Sequence, residues 1–292
     1  MRFFFIFIFI FVFYYSNGQN NFDFYGIINL NGKMDKAISY HLVFTEKNGV
    51  INGYSLTDVS GDHETKNIVE GTYDANSRLL QFKEKSIIYT KSPISQESFC
   101  FINYSGKIKL KSTTTNLNGN FKGFFNNEKP CINGTINLFG ATKVYELLAK
   151  IDKKIQKSKK VDAETKQKAR PVQIFDSLQV NKLTSKQNLS IFNSNDNIKF
   201  DIWDNGKEDG DNINLYQNDK LILENYTLTK AKKSLVVKLD PKENIFKIVA
   251  LNEGSDFPNT AMIEFQGDSK VELVSHLKKG ETAFITILNK KN

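Results

Sequence analysis

The chain has 292 residues, 40% of them hydrophobic and 12% aromatic, enough apolar mass to fill real cores and to exclude a disordered chain. Its 40 basic and 32 acidic residues leave a formal charge of +8, but ten of the basic residues, against four acidic ones, fall between Ala141 and Arg170. The excess is therefore one solvated segment, and with Arg78 and Arg170 the only arginines after Arg2, a nucleic-acid groove is excluded.

The chain opens with Arg2, an unbroken apolar run from Phe3 to Tyr15, and then Ser16-Asn17-Gly18. A positive start, a short apolar stretch and small residues near the end read as a secretory signal peptide over residues 1–18. The run is shorter than the roughly 20 apolar residues a membrane-spanning helix needs, which disfavours the alternative of an uncleaved anchor. No cysteine follows it, so a lipid anchor is not expected either. The mature chain is expected to begin at Gln19 and to be secreted, periplasmic or on the cell surface, without membrane contact after cleavage.

Residues 19–140 alternate with period two from Phe22 to Leu138, with turns every 8–15 residues and about ten candidate strands. Phe99–Asn103 and Gly106–Lys111 read as two separate strands. A motif of apolar residue, any residue, Gly, any residue, apolar residue recurs around Gly71, Gly119 and Gly134. Glycine inside a strand marks a bend or a close backbone approach, which suits a coiled antiparallel meander closing into a barrel, with an open sandwich as the alternative. Tyr25, Tyr40, Tyr54, Tyr73, Tyr89 and Phe101 either line a pocket in that barrel or fill it, and filling is the rule in small barrels. The only cysteines, Cys100 and Cys131, are expected to form a disulfide in an oxidising compartment.

From Lys143 the period changes. Val144, Leu147, Leu148, Ile151 and Ile155 share one helical face with lysines on the others, predicting one basic amphipathic helix that packs on the first domain. The rest of residues 141–187 reads as a polar, exposed linker. Residues 188–292 return to alternation, with nine candidate strands between Leu189 and Leu288 and a tight hairpin turn at Asn218-Asp219, the pattern of a β-sandwich. The expected fold is all-β, a barrel followed by a sandwich.

The densest acidic cluster is Asp201, Asp204, Glu208, Asp209 and Asp211, with Gly206 and Gly210 to allow turns. Calcium takes six to eight oxygens from carboxylates, amides and carbonyls on a turning loop, so Asp201, Asp204, Asp209 and Asp211 are candidate ligands. The alternative is a hairpin loop whose Asp and Asn side chains cap their own backbone.

Trp203-Asp204-Asn205-Gly206, Asp209-Gly210-Asp211, Ala250-Leu251-Asn252-Glu253-Gly254 and Pro258-Asn259-Thr260-Ala261, in this order, resemble a β-sandwich module of secreted, mostly uncharacterised proteins of Bacteroidetes-type bacteria. The resemblance covers about residues 197–288 and implies an extracytoplasmic accessory or binding module, with no catalytic residues to carry over. The first domain is lipocalin-like in strand pattern only.

Chemistry is otherwise thin. No Gly-x-Ser-x-Gly elbow or phosphate loop is present, Asp62-His63-Glu64 reads as an exposed loop, and His41 and His276 stand isolated. Glu70, Glu84 and Glu97 would act as a glycosidase pair only if the fold made two of them face each other. The sequence points to a secreted, non-enzymatic binding or adhesion protein for an extracellular glycan, peptide or apolar small molecule; the alternative is a small hydrolase or carrier with its site inside the barrel. Intact-mass measurement of the exported protein is expected to place its N-terminus at Gln19; a chain still carrying the apolar run would refute the cleavage.

Overall fold

The structure is a computed structural model that describes residues 20–290 except 33–36, 94, 111–114, 179 and 205. The expected signal peptide and Asn205 of the acidic loop therefore lie outside the described residues, as does Lys111.

The first half is a meander of β1 (Asn20–Leu30), β2 (Ala37–Lys47), β3 (Val50–Thr57) and β4 (Thr65–Asp74), continued by β5 (Leu79–Thr90), β6 (Phe101–Lys107), β7 (Asn116–Phe124) and β8 (Gly134–Gly140). Each strand pairs antiparallel with the next, and β8 returns to β1, closing an eight-stranded up-and-down barrel. The count is eight against about ten expected, in part because the two strands read at Phe99–Asn103 and Gly106–Lys111 are one, with Gly106 inside β6. Alternation points Phe24, Tyr40, Leu42, Phe44, Leu80 and Leu117 inward, and they fill the barrel. A Cβ at Gly71 or Gly134 would run into the carbonyl oxygen of Gln81 or Asn29 on the next strand, so these glycines permit the close approach that the coiled wall requires. Cys100 and Cys131 form the expected disulfide, with Cα atoms 6.0 Å apart.

β5 leaves the barrel. Its residues 79–83 pair with β6, and register shifts against β4 at Lys66/Asn67 and Ile68/Val69 bend it away. Beyond that bend it pairs with β10 (Asn188–Asn193), Ser190 opposite Thr90 and Ile191 opposite Tyr89. Glu84 sits at the split. Its buried carboxylate accepts hydrogen bonds from the Tyr40 hydroxyl (2.9 Å), the Ser55 hydroxyl and the Ile102 backbone N–H (2.8 Å), so it caps an N–H that β5 has left behind.

The second half is β11 (Asn197–Trp203), β12 (Asn212–Gln217), β13 (Lys220–Thr227), β14 (Lys233–Lys238), β15 (Glu243–Ala250), β16 (Asn259–Gln266), β17 (Lys270–Leu277) and β18 (Thr282–Asn289). All nine expected strands are present. Asn218 and Asp219 both have positive φ, 48° and 62°, as a two-residue hairpin turn requires. Strands β13-β12-β15-β18-β10 continue the barrel's own sheet. A second sheet, β14-β11-β16-β17-β9, with β9 spanning Lys182–Thr184, faces it. Between the sheets Phe200, Phe246 and Phe265 pack with centroids 4.6–6.0 Å apart, alongside Ile88 and Tyr89 of β5.

The segment joining the two halves differs from the expectation in two ways. Helix α1 (Ala141–Lys157) forms, but none of its residues is buried, and Leu147 and Ile151 are exposed. It rests on β1, β8 and α3, and near its end Gln156 Nε2 donates to the Lys166 carbonyl oxygen at 3.0 Å. The stretch read as linker holds α2 (Ala163–Lys168), whose N-cap Asp162 accepts from the Thr165 N–H at 2.7 Å, and α3 (Pro171–Ser177), which begins with a proline. It also holds β9, whose Leu183 is fully buried; three residues are too few to display a period. Among the described residues, no helix is long and apolar enough to cross a membrane.

The disulfide closes a loop with a sequence separation of 31. Replacing both cysteines by serine is expected to lower unfolding free energy by about 3–4 kcal/mol, read as a lower denaturant midpoint; an unchanged midpoint would show that the bridge is dispensable.

Candidate functional site: a cleft between barrel and sandwich

In β1–β4 the residues that alternate with the barrel's filling point outward: Tyr25, His41, Tyr54 and Lys66. A barrel wall facing water would carry small polar groups there. This wall carries rings because the second sheet and α3 pack against it. A cleft of about 540 Å³ remains, lined by His41, Tyr54 and Lys66 on the barrel side and by Asn181, Met262 and Leu273 on the other.

His41 is buried, and its Nε2 lies 2.8 Å from Asp23 Oδ1. Its ring stacks on Tyr25 at 3.9 Å, and Phe175 of α3 meets Tyr25 edge-on at 4.6 Å. With Nε2 engaged and one ring face covered, Nδ1 has no partner among the described residues. Asn181, 9% exposed, is held through its carbonyl oxygen, which accepts the Val274 N–H at 2.9 Å, yet neither polar atom of its side chain has a partner. Lys66 Nζ lies 3.9 Å from the centre of the Tyr54 ring. Burial pushes the Lys66 amine down, against the pull of Glu64, and pushes the Tyr54 hydroxyl up, aided by Asp23.

Chemically, the Asp23–His41 pair orients an imidazole, but Nδ1 touches no serine, threonine or cysteine that it could activate. The cleft is lined by residues that carry a buried unpaired amide and a buried unpaired imidazole nitrogen, by a lysine and by apolar walls, which is the equipment of a binding site.

The residues singled out from sequence fall elsewhere. Asp201 lies on β11, and its carboxylate takes Lys199 Nζ (2.8 Å), the Ser234 hydroxyl and Gln266 Nε2 (3.2 Å). Asp204, Asp209 and Asp211 gather in the connection from β11 to β12. There burial pushes the Asp211 carboxyl up to about 6 against the Thr260 N–H, and Asp209, Asp204 and Glu253 add to the rise. Among the described residues, no three His, Cys, Asp or Glu side chains form a metal-ion group. Glu84 is inside the barrel, while Glu70 and Glu97 are exposed, so the three do not face one another. Glu64 of the expected exposed loop is buried and accepts the Tyr89 hydroxyl at 2.9 Å. Trp203 belongs to a small core with Met262 and Val274. Tyr40 fills the barrel and Tyr89 the sandwich, Tyr54 faces the cleft, and Tyr25 is buried between His41 and Phe175.

Sequence reading left His41 isolated and missed Asp23 and Asn181. The available signal was the run of aromatic residues at outward positions of neighbouring strands.

No protein-family model, curated protein or solved structure matches the chain.

Glu264 on β16 accepts from Lys232 (2.9 Å), Gln266 (2.6 Å) and the cleft's Lys270 (3.1 Å). Burial opposes its ionisation, but these hydrogen bonds prevail and hold the carboxyl at about 2. Because the folded value lies below the ordinary one, its stabilisation is present at neutral pH and is lost as pH falls through the acid range. Glu264→Gln is expected to show a shallower loss of melting temperature than the parent between about pH 5 and pH 2; parallel acid limbs would refute the assignment.

Proposed function

We propose that the protein is an extracytoplasmic binding protein whose ligand, a short glycan, sits in the cleft between barrel and sandwich. The observation that carries this reading is the pair of buried side chains with unpaired polar atoms, His41 and Asn181, on opposite walls of one cavity. A buried unpaired polar group costs about 1–3 kcal/mol in the free protein, and such a cost is retained where a ligand relieves it. Sugar hydroxyls both donate and accept, so they suit an amide that offers both functions on one wall and an imidazole nitrogen on the other. Tyr54, Leu56, Met262 and Leu273 supply apolar surface for a ring face. The volume, about 540 Å³, suits one or two sugar units more than a polymer laid along a surface.

Export is supported by the character of residues 1–18 and by a disulfide of the kind that persists in oxidising compartments. Binding in the barrel interior is less well supported, because the aromatic and aliphatic side chains of β1–β8 fill it.

The test is a screen of mono- and oligosaccharides by thermal shift, repeated on Asn181→Ala. Since the Asn181 amide makes no hydrogen bond in the free protein, the variant is expected to melt no lower than the parent while losing about tenfold or more of glycan affinity. A variant that binds as the parent does, or a screen without any hit, would overturn the reading.

A further inference from the structure

Two connections, β11–β12 and β15–β16, meet at one end of the sandwich together with the first residues of β12 and β16. Most of their polar hydrogens are committed to one another, while Asn212 Nδ2 donates to Asn225 Oδ1 of β13 (3.4 Å). Thr260 N–H donates to Asp211 Oδ2 (2.7 Å), Asp256 N–H to Asp209 Oδ2 (2.9 Å) and Asn212 N–H to Asn252 Oδ1 (2.6 Å). Asn259 Nδ2 donates to the carbonyl oxygens of both Asn212 and Asn252, each at 3.1 Å. Exchanging its amide oxygen and nitrogen would set the oxygen against two carbonyls, so the orientation is forced.

What this leaves over is all oxygen. Among the described residues, Asp209 Oδ1, Asp211 Oδ1, Asn212 Oδ1 and Asn259 Oδ1 are buried and have no donor. Asn259 is fully buried, and Asp211 is 1% exposed. Among the described residues, no lysine or arginine forms an ion pair with Asp204, Asp209, Asp211 or Glu253. Asp204 lies in the same β11–β12 connection and Glu253 in the β15–β16 connection beside Asn252, adding acidic residues to these loops. A carboxylate held this far from water without a cation is strongly disfavoured, and four acceptors gathered without a donor lack a positive group.

We propose that this loop cluster is a calcium site, with Asp209 and Asp211 as its carboxylate ligands and the amide oxygens of Asn212 and Asn259 beside them. Asp204 and Glu253 supply further negative charge around the ion. An all-oxygen set with neither His nor Cys selects a hard cation over zinc or copper. Calcium accepts amide and carbonyl oxygens and water readily, so two carboxylates are enough and no cage of three acids is needed. Asp201, engaged by Lys199, Ser234 and Gln266, is not a ligand. The ion would tie the two connections together and so stiffen that end of the sandwich.

The test uses the full exported chain stripped with EDTA. Calcium titrated calorimetrically is expected to fill one site, with the melting temperature rising on addition and magnesium competing weakly. Terbium bound in its place is expected to emit on excitation of Trp203, the only tryptophan and the neighbour of Asp204. Asp211→Asn is expected to weaken calcium at least about tenfold, and Asp201→Asn to leave it unchanged. No heat and no melting shift up to about 10 mM calcium would overturn the proposal. So would undiminished binding in both Asp211→Asn and Asn259→Ala. The parent titration stands by itself should either variant fail to fold.

Discussion

The structure depends on one strand serving two sheets. β5 closes the barrel against β6 over its first half and then carries the sandwich sheet through β10. A barrel wall that loses a strand halfway exposes backbone groups at the split, and buried backbone groups must be paired. Glu84 answers that need: its carboxylate takes the Ile102 N–H and holds the Tyr40 and Ser55 hydroxyls of the opposite wall. Burial pushes this carboxyl up, while these hydrogen bonds and one from Asn67 pull it back down. A residue that would read as catalytic from its burial alone is explained by topology.

The same strand sets the cleft. Once β5 has entered the sandwich sheet, the facing sheet with β9 and β17 lies over the outer surface of β2–β4. The bulges in β5 let Ile88 and Tyr89 join the sandwich core. The outer barrel surface is therefore an interior one, and it carries Tyr25, His41 and Tyr54 where an isolated barrel would carry charge. The chain between the halves, read as a mere tether, supplies Phe175 against Tyr25 and Asn181 across the cleft.

Polar accounting separates scaffold from site. Nearly all buried polar groups in a folded protein find partners, and the network around Glu64, Tyr89 and Lys91 follows that rule. Among the described residues, the buried unpaired side-chain atoms concentrate at the cleft and at the Asp209–Asn259 loops, with Asn67 in the barrel as the remainder. The two clusters differ in kind. At the cleft a mixed set of donor and acceptor atoms is left, fitting a neutral polar ligand. At the loops only oxygens are left, fitting a cation.

Local pattern was enough for much of the fold. Period two from Phe22 to Leu138 and again from Leu189 to Leu288 determined the strands. The glycines at 71 and 134 announced a tightly coiled wall, and two cysteines in a strand-rich half announced their bridge, because each of these signals lies within a few residues or in a unique pair. Which strand would be shared was beyond local pattern, since a bulge such as those in β5 leaves no mark that alternation can show. The partners of His41, 18 residues away at Asp23 and across the cleft at Asn181, were beyond it for the same reason. The acidic loop was visible as composition, but only the fold brought Asn259 to it and gave Asp201 to Lys199 and Ser234. Spacing along a chain specifies which face a side chain takes; what that face meets is settled by long-range pairing.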